Sequence, residues 1–436
     1  MLARIRKGLS ARPAFNRNRR MRLQVPYGKD DLLPLEVPDG NLAAVLYPNE
    51  VDDREPANEI EFALEHPLMS IPLRQFLSGE GSVLFIVNDA TRPTPTAAVL
   101  DQVEEIADLS KFKYIVATGA HRAPTPFEYE MIFGPRYAKL RERITAHDAR
   151  RNPSVNLGRS SNGTEMLVNE SVAKADKLVI ITSVEPHYFA GYTGGRKSIL
   201  PGVAAHRTIE QNHRLAMRKE AQVLKLSGNP VHEDMMDALK CFEGKKIFAI
   251  QTVLDRHHHI YRVVAGDLHS SFAKAVEFAD QVFCAPIREK ADVVISIAPY
   301  PMDIDLYQSQ KALDNAKFAL KDGGTLIFVA ECRDGVGDRT FYDVLSRSSD
   351  PREIMGELDR EYKLGFHKAA KMAEVMTRAK VCGVTSLKPE ELEKINIAPF
   401  ISVQAALDAA LAEKPEAKVI VMFEGSVLVP RLVNDA

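Results

Sequence analysis

SVLFIVNDATRPTPTAAVLDQVEEIADLSKFKYIVATG, from Ser82 to Gly119, decides the fold. It opens on an apolar run, breaks at ATRPTP, passes through the helix-forming AAVLDQVEEIADL and closes on a second apolar run, YIVATG. Strand, crossover helix and strand make a βαβ unit, and repeated units make a mainly parallel sheet. The pattern continues outward. Thr125, Pro126 and Glu128 open the next helix with a cap, a first-turn proline and a capping-box acid. KLVIITS (Lys177 to Ser183), KIFAIQTVL (Lys246 to Leu254) and YRVVAG (Tyr261 to Gly266) supply further strands. A second series starts near Ala291 with DVVISIAP, a helix through QKALDNAKFAL, GGTLIFVA (Gly323 to Ala330) and KVCGVTS (Lys380 to Ser386). The final strand, KVIVMFEGSVLVP, reads as a return to the first domain.

The fold class is therefore α/β: two domains with mainly parallel sheets and an active-site cleft between them. Residues 27–284 with 415–436 read as the first domain and 285–414 as the second, with the boundary near Ala285-Pro286. A length of 436 residues exceeds one ordinary core. Residues 1–26 form a basic arm, rich in Arg and Lys with no acid before Asp30 and without the apolar middle of a secretory signal. It reads as disordered, or as sequence upstream of a true start at Met21.

Composition removes several function classes. Hydrophobic content of 45% and charged content of 27% are those of a globular protein, and a net charge of -2 favours neither nucleic acid nor an acidic membrane. Cys241, Cys284, Cys332 and Cys382 form no CxxC pair, which argues against a disulfide framework or thiolate zinc and suits a reducing cytoplasm. No apolar run approaches the roughly 20 residues of a membrane span.

In an open parallel sheet, ligands bind at the edge where strands deliver their carboxyl ends. Asp89, Thr91 and Arg92 follow the first strand, His121 and Arg122 the second, Glu185 and His187 the third. Two histidines, an arginine and two carboxylates on one rim favour a site. Asp89 reads equally as a helix cap. Arg92 suits a carboxylate or phosphate clamp. The third strand runs into EPHYFAGYTGGRKSILPGVAAHRTIEQNH, Glu185 to His213. Its glycines have the composition of a phosphate cradle, yet the spacing is neither that of a Walker motif nor GxGxxG. His206 and His213, two turns apart, share a helix face; His206 reads as solvated. His147, His232 and the triplet His257 to His259 read as structural or turn residues. Tyr307, Gln308 and Lys311 circle one helical turn of the second domain, an ordinary amphipathic arrangement unless that domain closes over the rim.

Together NDATRPTP, ATGAHR, EPHYFAGYTGGRKSILPG, the Asn212-His213 pair, GNPVHEDM and YQSQK resemble the nickel-pincer lactate racemases and related 2-hydroxyacid racemases and epimerases. The likeness runs from about Tyr27 to the final strand. It implies a pyridinium mononucleotide whose two sulfur-bearing arms hold nickel. Lys197 matches the lysine that joins this cofactor through a thioamide in the founding racemase, although some relatives keep the lysine without a persistent bond. His213 matches the protein ligand to nickel, and His121 and His187 match the acid/base pair. Arg92 and Lys311 match substrate-carboxylate contacts, with Tyr307 and Gln308 beside them. Asp89, Thr91, Gly194 and Gly195 join Lys197 on the cofactor side. The implied partners are a small 2-hydroxyacid and, transiently, the enzymes that make the cofactor.

The chemistry agrees. A hydroxyacid Cα–H is a very weak acid beside a charged carboxylate, whereas hydride removal gives a planar 2-keto acid that can be refilled from either face. Such a site needs an electrophile that no side chain provides, one base per enantiomer and a cationic clamp. Nickel accepts imidazole together with soft sulfur. With no tryptophan, any aromatic wall must come from Phe or Tyr, and His367 and Lys368 in the segment LGFHKAA suit a substrate more polar than lactate. Two other classes are open: a Schiff-base enzyme holding pyridoxal phosphate on Lys197, and a nucleotide- or cofactor-carrying protein of the same fold.

Overall fold

The computed structural model describes residues 19–358 and 362–433. Six strands form the first sheet, in the order Ile260–Gly266, Lys246–Leu254, Lys177–Ser183, Val83–Asn88, Lys113–Ala117 and Ile144–Ala146. Neighbours are parallel except at the Ile260–Gly266 edge. The central strands are apolar on both faces because helices cover both. Val83, Phe85, Val87, Val179 and Ile181 pack on one side, and Leu84, Ile86, Leu178 and Ile180 on the other. The helix Pro126–Phe133 begins with the expected capping box between Thr125 and Glu128.

The second sheet also has six strands, all parallel: Ala398–Pro399, Lys380–Val384, Leu320–Val329, Ala291–Ile297, Val419–Met422 and Leu42–Leu46. The final strand thus does not return to the first sheet. Val419–Met422 is wholly buried, and Ala291–Ile297 and Leu42–Leu46 flank it. The excursion runs the other way, since the N-terminal strand Leu42–Leu46 crosses to complete the second sheet. Further on, Val429–Leu432 pairs with Cys284–Ile287 at the junction of the two halves.

The basic arm needs a second correction. Residues 1–18 lie outside the described residues, but Arg20–Tyr27 is a strand paired antiparallel with Asp31–Pro38. Its basic side chains at Arg20 and Arg22 face outward while Val25 is buried. Val25, Leu35 and Val37 pack with Val403, Ala406 and Leu407 against the second sheet. Basic composition hid this alternation. Among the described residues no helix is long and apolar enough to cross a membrane.

Candidate active site

Asp89 stands at the end of Val83–Asn88 and does not cap the following helix, whose N-cap, Pro95, has no side-chain cap bond. One carboxylate oxygen, Oδ1, accepts from the Thr91 backbone N–H at 3.1 Å and from Thr91 Oγ1 at 2.6 Å. The other, Oδ2, lies 2.8 Å from His121 Nδ1. An ionised carboxylate only accepts, so Nδ1 is the protonated nitrogen and Nε2 is the one turned to other partners. Burial works to raise the Asp89 pKa, but the bonds from His121 and Thr91 and the charge of Arg92 outweigh it and hold it below the ordinary value. Thr91 thus acts on Asp89. Arg92 Nη1 donates to Glu185 Oε1 at 3.1 Å, tying two strand ends together.

After Lys177–Ser183 the chain makes a tight hairpin in which Pro186 pairs with Tyr192 and His187 with Gly191. His187 is buried between Tyr188, ring centroids 4.9 Å apart, and the edge of Phe189 at 4.6 Å. Burial first, then the charges of Lys197, Arg92 and Lys311, push its pKa well down, so it is neutral at pH 7. The Ala190 N–H donates to His187 Nδ1 at 3.3 Å, which places the ring proton on Nε2. That nitrogen faces Lys197 Nζ at 2.9 Å. The contact is satisfied when Lys197 is a neutral amine accepting the proton. Burial, then Arg92, Arg196 and Lys311, lower the Lys197 pKa well below that of a surface lysine, a shift in the direction of the amine form.

Gly194 and Gly195, at φ 80° and 49°, hold the turn before Lys197. A Cβ at Gly194 would lie 2.5 Å from Val184 Cγ2, and one at Gly195 would meet the Phe272 ring at 3.0 Å. Close packing therefore explains both glycines. Arg196, which sequence reasoning passed over, is 1% exposed. Its Nη2 donates to Ala190 O at 2.6 Å and its Nη1 to Thr193 O and Gly194 O at 3.2 and 3.3 Å, while the guanidinium sits 4.4 Å over Phe272. A buried cation that gathers three carbonyls fixes the loop and aims its neighbour, Lys197. No periodicity announces it.

His213 lies near the end of the helix His206–Arg214, buried against the edge of Phe189 with centroids 5.0 Å apart. Burial, then the charges of Lys197 and His121, lower its pKa to about 3. His206 contacts Arg150 at the protein surface, away from this group. Among the described residues no three His, Cys, Asp or Glu side chains cluster as a metal cage. A metal held beside His213 would take one imidazole from this wall, and its other donors would have to come with a cofactor. A lysine shifted toward its amine form and a neutral histidine would fit a nucleotide-borne metal of that kind.

The second half contributes Tyr307, Gln308 and Lys311. Burial, then the charge of Arg92 from the first half, lowers the Lys311 pKa to about 8, opposed by Glu185 and Asp305. Tyr307 holds Lys368, whose Nζ donates to Tyr307 O at 2.7 Å and lies 3.3 Å over its ring. Gln308 sits in the first turn of Leu306–Ser309, where its N–H is capped by Asp305 Oδ1 at 2.7 Å. His367 closes the junction: its Nδ1 lies 3.0 Å from Tyr362 OH and its Nε2 3.1 Å from Tyr188 OH. The His257 to His259 segment is a turn pinned by Asp255, and His147 is a buried ring bonded to Ala204 O, both outside the site.

Comparison with known proteins follows the same outline. Residues 27–224 match the lactate racemase N-terminal domain and residues 287–429 the lactate racemase C-terminal domain. A lactate racemase of Thermoanaerobacterium thermosaccharolyticum is 32% identical over 386 residues, covering 85% of this chain and 90% of that protein. One from Lactiplantibacillus plantarum is 31% identical over 348 residues, covering 77% and 80%. The solved lactate racemase apoprotein of T. thermosaccharolyticum superposes with a TM-score of 0.87 at 29% identity, covering 94% of this chain and 100% of that one. A Thermotoga maritima protein at 16% identity and TM-score 0.64, covering 88% and 100%, shares the fold.

Proposed function

Because the chain belongs to the lactate racemase family, we propose that it interconverts the two enantiomers of a 2-hydroxyacid with a nickel-pincer nucleotide as cofactor. The observation that supports this reading is the pair of contacts Asp89–His121 and His187–Lys197, with the Phe189 ring packed against both His187 and His213. When bound, the cofactor supplies the electrophile that takes hydride from Cα and returns it. Lys197 is the group for attachment, and His213 offers an imidazole to nickel.

The remaining work falls to side chains. Arg92 and Lys311 approach from different halves of the chain and hold the substrate carboxylate, which fixes Cα while its substituents exchange faces. His121 Nε2 takes or returns the hydroxyl proton for one enantiomer, and Asp89 steadies the imidazolium that forms. His187, neutral at pH 7, does so for the other enantiomer in its other tautomer, with the ring proton on Nδ1 and Nε2 turned from Lys197 to the substrate oxygen. The buried rings of Tyr188, Phe189 and His367 exclude water from the 2-keto acid between the two transfers.

A Schiff-base pyridoxal enzyme is disfavoured by the absence, at familiar spacing in the sequence, of an acid or arginine to face the ring nitrogen. To test the proposal, the chain is co-expressed with the cofactor-synthesis enzymes and offered a panel of single-enantiomer 2-hydroxyacids, diacids and sugar acids included. Inversion of at least one acid, by protein that retains nickel, is expected. Nickel-loaded protein that inverts none of them would identify a carrier, and a borohydride-sensitive chromophore without nickel would identify a pyridoxal enzyme.

A further inference from the structure

GNPVHEDM and the asparagine before His213 take no part in the chemistry above, yet the structure joins them. We propose that Asn212 and Asp234 are positioning residues for His213, fixing its ring proton on Nδ1 so that Nε2 is the atom offered to a metal. The consequence for metal binding rests on the assignment of His213 as nickel ligand.

Asn212 and Asp234 are both 0% exposed. Asp234 is clamped from three sides: Oδ1 accepts from Ser160 Oγ at 2.5 Å, and Oδ2 from Thr164 Oγ1 and Asn212 Nδ2, both at 2.8 Å. The Asn212 amide nitrogen also faces Val231 O at 3.3 Å. A carboxylate and a carbonyl are acceptors only, so they fix which end of the amide is NH₂. Its oxygen must then be the atom 3.2 Å from His213 Nδ1. An amide oxygen there can be met only by an N–H, which leaves the Nε2 lone pair free. Outer partners of this kind set ring orientation and tautomer in metal sites.

The same helix, Pro230–Ala238, steadies the ring from a second side. Its N-cap, Asn229, donates from Nδ2 to Phe189 O at 2.9 Å, and the Phe189 ring packs on the edge of His213. Asn229, Asp234 and Asn212 therefore hold the ring from behind while its open edge faces the site.

The tautomer is read directly by ¹⁵N–¹H correlation of the histidine ring nitrogens in the cofactor-free chain at neutral pH, with His213 assigned by its loss in His213→Gln. A proton on Nδ1 is expected, and a wild-type proton on Nε2 would overturn the proposal. In the nickel-loaded protein, competition with a chelator should show Asn212→Leu binding nickel about 10–100-fold more weakly. Asp234→Asn, which keeps an oxygen for Asn212 Nδ2, should stay close to wild type. A folded Asn212→Leu with wild-type retention would also overturn it. Nickel held normally by His213→Gln would instead refute the ligand assignment, a failure separate from the tautomer.

Discussion

Replacing Asp89 with asparagine changes one atom and, by the geometry of the site, should reverse the chemistry of His121. In the native protein Thr91 directs two donors at Oδ1. An amide at position 89 must keep its oxygen toward those donors, which turns its NH₂ toward His121 Nδ1, 2.8 Å from the native Oδ2. Nδ1 then has to accept, the proton moves to Nε2, and the atom that serves as base is blocked. A positioned acid/base group contributes about 10²–10⁴ in rate, or about 3–5 kcal/mol at ~1.36 kcal/mol per decade. Turnover should fall by that factor in both directions, because each full conversion uses both histidines. The assay is chiral chromatography of the cofactor-loaded variant with each enantiomer in turn, alongside its nickel content and melting temperature. Retained nickel and fold with turnover reduced at least 100-fold is the expectation. Activity within a few-fold of wild type would refute the dyad as the source of the base.

Other outcomes follow from the same geometry. Gly194→Ala, with φ 80° and a Cβ 2.5 Å from Val184 Cγ2, should cost about 1–3 kcal/mol in denaturant unfolding. Arg196→Met leaves three carbonyls without the guanidinium, so a loss of at least about 3 kcal/mol is expected from the same measurement. His187, His213 and His367 all have pKa values lowered by burial. The unfolded chain therefore binds more protons below about pH 6.5, and stability of the cofactor-free protein should fall as pH drops through that region. His213→Gln should flatten part of the slope.

Much of the fold was legible because strands buried on both faces must be continuous apolar runs: SVLFIVND, KLVIITS and KIFAIQTVL each form a central strand of the first sheet. The capping box at Thr125 was equally local. What escaped were relations between distant segments. Whether KVIVM pairs with the first or second sheet depends on which strands stand open, and Leu42–Leu46 carries no mark of the vacancy it fills. Arg20–Tyr27 hid because its exposed face is basic, although its buried face packs in a core. In the site, the strand ends revealed His121, His187 and Arg92, but Asp89 looked equally like a helix cap until His121 was seen beside it. Arg196 and Asp234 act on backbone carbonyls and on another side chain, contacts that no spacing in the sequence encodes.

The central claim is that hydride leaves Cα and returns to it, with no exchange of that hydrogen with solvent. Inversion of a single enantiomer by the nickel-loaded protein in deuterated water, followed by mass spectrometry of the product, tests it most directly. The account predicts an inverted product with little deuterium at Cα. Extensive deuterium there would mean that a proton is abstracted, and would contradict the account.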